Sequence, residues 1–263
     1  MTYNTSSDDD VINLTIRYLS RDFALKREFE EELSLDIKNT KLISINFPNN
    51  PTGAVYTREE LAAIGEVAAS EDILILSDEI YEKLIYGESE HVSIGSISEE
   101  IQKLTITING FSKAYSMTGW RLGYTAAPKE IADAIDTIQS HSTSNPTTFA
   151  QYGAIAALTG DQSEITDMVE EYNIRRQYAL GRLNSIANVS TIEPDGAFYF
   201  LINIENTGIK SVNFAEKLLS RMQVATIPGV AFGNDHSIRI SYATSLPTIK
   251  EGLDRLEEFC KAH

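Results

Sequence analysis

A chain of 263 residues with 42% hydrophobic and 9% aromatic side chains can bury a substantial core, which excludes a disordered polymer. Its 22 Lys and Arg against 38 Asp and Glu leave a net charge of −16, which disfavours nucleic-acid backbones and anionic membrane surfaces as partners. The single cysteine, Cys260, rules out an internal disulfide and a cysteine-based metal site. The polar start "MTYNTSSDDD" lacks the apolar stretch of a secretory signal, and no apolar run reaches membrane-spanning length, so a cytoplasmic protein is expected.

In chain order, "VINLTIRYL" alternates as a strand does, and "LKREFEEELS" reads as a short charged amphipathic helix. "KLISINF" is a buried-type strand that runs into the turn-rich "PNNPTG". "TREELAAIGEVAAS" opens with a capping box, Thr57 with Glu60 three residues on, and keeps helical apolar spacing. "DILILSD" is a strand followed by the helix-like turn "EIYEKLIYG"; "KLTITINGF" and "RLGYTAAP" are further strands. From "NPTTFAQYGAIAALTG" the pattern turns helical, and "ITDMVEEYNIRRQYALGRLNSI" is a long exposed helix. Then come "GAFYFLINI" (strand), "NFAEKLLSRM" (helix), "VATIPG" and "SIRISYATS" (strands) and "TIKEGLDRLEEFCKA" (helix).

Strands that alternate with helices predict an α/β fold with a mostly parallel sheet and helices on both faces, spanning residues 1–165. The later elements predict a small α+β domain over residues 166–263. Ligands of open α/β sheets bind at the carboxyl ends of the strands, and Asn50, Asp78 and Lys113 each follow such an end.

The segments "NFPNNPTGAVY", "SDEIYEKLIY", "NGFSKAYSMTGWRLGY", "QSHSTSNPTTFAQ" and "SIRISYATS" occur in the order and spacing of class I/II aminotransferases. The chain resembles these fold-type I pyridoxal-phosphate enzymes, and most of all their aspartate-aminotransferase-like branch, from about residue 22 onward. The resemblance implies pyridoxal 5'-phosphate as cofactor, amino-acid and 2-oxo-acid substrates with an aspartate-like donor favoured, and a homodimer. Other chemistry on the same fold, a lyase or decarboxylase, uses the same cofactor.

By this resemblance Lys113 is the lysine that holds the cofactor as a Schiff base and moves the proton at the substrate Cα. Arg121 grips the phosphate with Ser112 beside it, while Gly110 stands where some relatives carry a further hydroxyl. Asp78 pairs with the pyridine nitrogen, Tyr81 and Asn50 reach the 3′-oxygen, and Arg239 binds the substrate α-carboxylate. Asn50 also borders the substrate, and Asn50–Pro51 is the expected cis peptide. Taken alone, each residue has a plainer reading: a solvated Lys113, an Asp78 helix cap, a core Tyr81 and an edge-strand Arg239. Trp120 reads as packing that steadies Arg121, and His141 as a residue near a subunit interface. His91, His236 and His263 show no metal-ligand spacing. "PGVAFG" and "PDGAFYF" read as structural turns.

The resemblance also implies an N-terminal portion with a phosphate-cradling loop and a ring-stacking aromatic; Tyr3, Tyr18, Phe23 and Phe29 lie in no matching context. Without that portion the sheet is expected to show exposed apolar faces and an unpaired edge. Three outcomes follow: an impaired enzyme, a chain complemented by another, or a leader that replaces part of the lost structure and leaves weak cofactor binding; a non-catalytic or interaction subunit is the rival reading.

Overall fold

The computed structural model describes residues 14–16 and 40–262, and the helix expected over residues 25–34 lies outside them, as do Tyr3, Tyr18, Phe23, Phe29 and His263. The chain divides into two compact units. One extends to Pro48 and resumes over Val55–Ile165; the other comprises Asn49–Ala54 and Thr166–His263.

The first unit is built on a five-stranded sheet whose spatial order follows the chain: β1 (Leu14–Ile16), β2 (Leu42–Asn46), β3 (Leu74–Asp78), β4 (Thr105–Gly110) and β5 (Gly123–Ala126). β1 to β4 run parallel and β5 runs antiparallel to β4. The register sets Asn46 opposite Asp78 and Asp78 opposite Ile108, so three carboxyl ends meet at one edge. Because β5 is antiparallel, its start at Gly123 pairs with the end of β4 at Gly110.

Helix α1 (Arg58–Ser70) begins where the sequence signals it. Thr57 Oγ1 accepts from Glu60 N–H at 3.2 Å, and Glu60 Oε2 accepts from Thr57 N–H at 2.7 Å. Its Leu61, Ile64 and Ala68 pack on Ile43, Ile45 and Ile75 of the sheet, together with Ile101 of the short α2 (Glu99–Gln102). Gly65 permits the close approach, since a Cβ there would lie 2.4 Å from Ile101 Cδ1.

Helical cover is expected on both faces; among the described residues it is seen on one. β2 and β3 alternate buried with half-buried residues, and β5 is exposed throughout. The helices after β5 pack elsewhere: α3 (Lys129–Ser142) buries none of its residues. Helix α4 (Thr148–Thr159) sets Ala150 and Ala154 on Phe111 and Leu122, beside the sheet's end. Helix α3 has its sequence signal in Ile131, Ile135 and Ile138, which recur at helical spacing.

Helix α5 (Ser163–Leu183) spans the division between the units. The second unit carries an antiparallel sheet in the order β6 (Ser190–Thr191), β7 (Tyr199–Asn203), β9 (Ser237–Ser241), β8 (Ile227–Pro228). The expected strand "VATIPG" contributes only two residues to it. Helices α6 (Ser211–Met222) and α7 (Leu246–Lys261) meet through Phe214 and Phe259, whose ring centroids lie 5.0 Å apart. Phe200, Ile202, Leu218, Ile238 and Tyr242 complete a core with almost no exposure. Among the described residues, no helix is long and apolar enough to cross a membrane.

Candidate active site

In the first unit, the motif residues gather at the carboxyl edge of the sheet because of the strand order. Asp78 closes β3, and its Oδ1 accepts from Ile80 N–H at 3.2 Å. Its backbone oxygen takes donors from Asn46 Nδ2 and Phe47 N–H, both at 3.1 Å. Burial pushes the Asp78 carboxyl above its usual range; the Ile80 N–H opposes this and the charge of Glu79 adds to it. Tyr81, three residues on, is buried, and Lys113 Nζ lies over its ring at 5.6 Å from the centroid.

The stretch from β4 to β5 folds as a series of tight turns. Tyr115 and Met117 N–H both donate to Phe111 O, and Thr118 Oγ1 donates to Ser112 O at 3.0 Å. Arg121 takes a left-handed conformation (φ 53°) at the end of the turn Thr118–Trp120, and its Nη1 donates to Thr118 O at 3.0 Å. A non-glycine residue in that region is uncommon and concentrates at functional positions. Gly110 and Gly123 face each other across the β4–β5 pair. A Cβ on Gly110 would sit 3.0 Å from Gly123 Cα and Leu122 O, which leaves little room for a side chain there. Trp120 lies over α4: a Cβ on Gly153 would be 3.2 Å from its Nε1. His141 is exposed on α3, with Nδ1 2.8 Å from Thr137 O.

Beside Asp78 lies a network that sequence spacing did not reveal. Glu79 is buried, accepting from Ser77 Oγ (2.8 Å) and Ser93 Oγ (2.9 Å) on Oε1, with His91 Nε2 3.0 Å from Oε2. Burial alone would raise the Glu79 carboxyl; the bonds from His91 and the two serines outweigh it and hold the carboxyl below its usual range. Glu82 also approaches, so His91 has carboxylate neighbours within 4.8 Å despite its unpromising spacing. Both Glu79 oxygens are already engaged, and the His91 ring stacks on Phe47, which fits a structural ion pair.

In the second unit, Arg239 of β9 donates from Nη1 to Asn50 Oδ1 at 2.7 Å. Its guanidinium sits over the rings of Tyr199 (4.5 Å) and Phe232 (5.0 Å), two contacts the sequence did not suggest. The loop holding Asn50 is tied down by Asn49. Thr52 N–H and Oγ1 donate to Asn49 Oδ1, and Gly53 N–H donates to Asn49 O. The cis peptide of this region is Phe47–Pro48, not Asn50–Pro51, which lies inside the turn closed by the Gly53–Asn49 bond. Gly53 (φ 74°) accepts from Asp195 and Gly196 N–H, and a Cβ there would lie 2.3 Å from Pro194 Cβ. Arg176, buried in α5, holds that partner loop through Glu193 Oε1 (2.7 Å) and Pro194 O (2.9 Å).

The model of the family "Aminotransferase class I and II" matches residues 15–256. The chain is 46% identical over 231 residues to an aspartate aminotransferase of Bacillus subtilis, covering 86% of this chain and 59% of the relative. It is 49% identical over 227 residues to an aspartate aminotransferase of Bacillus sp. (strain YM-2), covering 84% and 58%. Among solved structures, an aromatic aminotransferase of Pyrococcus horikoshii superposes with a TM-score of 0.85 at 38% identity, covering 90% of this chain and 63% of that one. A double mutant of Thermus thermophilus aspartate aminotransferase gives 0.81 at 37% identity, covering 89% and 59%. The chain thus spans about three-fifths of the length of these relatives. The match over almost all of its length, with its own motifs in register, makes this chain a member of the class I and II aminotransferases.

Proposed function

We propose that this chain carries the pyridoxal-phosphate part of an aminotransferase acting on an aspartate-like amino donor and a 2-oxo acid. The observation that carries the reading is the gathering of Asp78, Tyr81 and Lys113 at one edge of a parallel sheet, in a chain of this family.

The donor set suits the cofactor. A half-buried carboxylate whose proton affinity is raised by burial gains from a cationic neighbour, and a protonated pyridine nitrogen is one. Ser112 and the fixed fork of Arg121 suit a phosphate. When bound, pyridoxal phosphate supplies an electrophilic carbon for the amino group and a sink for the electron pair left at the substrate Cα. By the family resemblance, Asp78 would hold the proton on the ring nitrogen, and Tyr81 and Asn50 would each donate toward the 3′-oxygen. Lys113 would hold the cofactor through its amino group and would move the proton at the substrate Cα. Arg239, flanked by Tyr199 and Phe232, binds the substrate α-carboxylate.

Titrating the purified chain with pyridoxal phosphate is expected to produce a visible absorption band that Lys113→Ala abolishes. An unchanged spectrum in both proteins removes the reading. With aspartate and 2-oxoglutarate, oxaloacetate and glutamate in equal amounts separate amino transfer from lyase chemistry.

A further inference from the structure

Directly after Asp78 stands Glu79, a carboxylate only 2% exposed that the proposed chemistry does not use. Its N–H donates to Ile108 O at 2.9 Å, which carries the pairing of β3 with β4 one residue past Asp78. Strand alternation sets Ser77 and Glu79 on the face covered by α1 and turns Asp78 to the other. The direction of the Asp78 carboxylate therefore depends on how firmly Glu79 is held behind it.

The Glu79 side chain is held from three directions. Ser77 Oγ and Ser93 Oγ donate to Oε1, and His91 Nε2 lies 3.0 Å from Oε2. Because the Glu79 carboxyl stays ionised, Nε2 carries the proton of that bond. Ser93 directly precedes the turn Ile94–Ser96, and Ile94 is fully buried in the core with Ile43 and Ile75. The His91 ring stacks on Phe47 with centroids 5.3 Å apart, and Phe47 N–H donates to Asp78 O at 3.1 Å. Asp78, Glu79, His91 and Phe47 thus form a closed circuit of contacts around the end of β3. His91 Nδ1 is buried and has no hydrogen-bond partner. For packing on Phe47 alone an apolar ring serves better, since an unmet polar atom in the interior costs stability. What the imidazole adds over a phenyl ring is the Nε2 donor to Glu79.

We propose that Glu79 and His91 are positioning residues, whose mutual hydrogen bond fixes the Asp78 carboxylate in the direction from which it meets the cofactor. Neither acts on a reacting atom itself. The proposal rests on the aminotransferase reading and extends it to residues behind the site.

The test separates the donor from the ring. His91→Gln keeps a donor near the place of Nε2 without the ring, and His91→Phe keeps the stack on Phe47 without the donor. Ser93→Ala removes one bond to Oε1 with little change in packing, and it replaces His91→Phe in the comparison if that variant does not fold. Amide hydrogen exchange is followed by NMR in the cofactor-free chain at Phe47 and Ile80, whose N–H groups bind Asp78, with Ile75 of β3 as the reference. In His91→Phe both amides are expected to quicken at least about tenfold more than Ile75, in Ser93→Ala by a smaller factor, and in His91→Gln to stay within about threefold of the parent. The affinity for pyridoxal phosphate, read from visible absorption, is expected to fall about tenfold in His91→Phe and to hold in His91→Gln.

Equal quickening at all three amides assigns the pair to global stability and overturns the proposal. Loosening as large in His91→Gln as in His91→Phe also overturns it, because the donor is then not what matters. An unchanged cofactor affinity in a variant whose amides have loosened does the same. A parent chain that shows no visible band removes the cofactor reading, and the exchange comparison still decides whether the pair holds Asp78.

Discussion

Arg239 and Asn50, 189 positions apart in the sequence, are joined by a 2.7 Å hydrogen bond from Nη1 to Oδ1. The bond links a strand residue to a turn, while the rings of Tyr199 and Phe232 hold the guanidinium in place. An arginine steadied on three sides presents its remaining donors in a fixed direction, as carboxylate recognition requires.

Arg239→Lys keeps the charge and loses the planar fork. It is expected to raise KM for the amino donor by about tenfold or more with a smaller change in kcat, because binding and not proton transfer is weakened. Steady-state kinetics of the catalytically competent assembly measures this, and an unchanged KM would remove Arg239 from the substrate site.

Gly53→Ala is expected to destabilise the protein by more than about 1 kcal/mol, since the new methyl meets Pro194 and the backbone is left-handed there. Urea unfolding followed by tryptophan-independent far-UV circular dichroism reads the change. A variant as stable as the parent would show that the Gly53–Pro194 contact has room to relax.

Glu79 and Asp78 are neighbours with opposite shifts. Glu79 holds its proton more weakly when folded, so its stabilisation is fully present above the unfolded carboxyl value of about 4.3 and is lost as pH falls through the lower folded value. Glu79→Gln is expected to cost about 1–3 kcal/mol near neutral pH, and the gap to the parent should close in acid. A gap that does not depend on pH would mean that the charge on Glu79 contributes nothing.

Asp78 has the reverse sign. Its folded value is raised, so its contribution is fully present below the unfolded value and lost as pH rises through the folded one. Asp78→Asn is therefore expected to raise the melting temperature of the cofactor-free chain at neutral pH while abolishing turnover. A lower melting temperature would show that the carboxylate is needed for folding.

Cys260 is buried on α7, and burial pushes its thiol up to about 11. A disulfide reagent at mildly alkaline pH is expected to modify it only as fast as the second unit opens, so urea should accelerate labelling in step with unfolding. Fast labelling of the native protein would contradict the packing of α7 on α6.

The local features were legible because they depend on neighbours in the chain. The Thr57–Glu60 capping box, the strands ending at Asp78 and Gly110, and the helix that carries Cys260 each announce themselves within a few residues. The motif set carried the family for the same reason, since five short segments in register need no knowledge of contacts. Helix α3 carries the same kind of signal in the spacing of Ile131, Ile135 and Ile138.

What only the tertiary structure decided is how distant residues satisfy one another. Helix α4 packs on Phe111 and Leu122, which the turns between β4 and β5 bring together. The Glu79–His91 pair, the hold of Arg176 on Pro194 and the bond from Arg239 to Asn50 join residues 12, 18 and 189 positions apart, each in a different element or loop. A buried charge must find its partner wherever the fold brings one, and no periodicity records where that is.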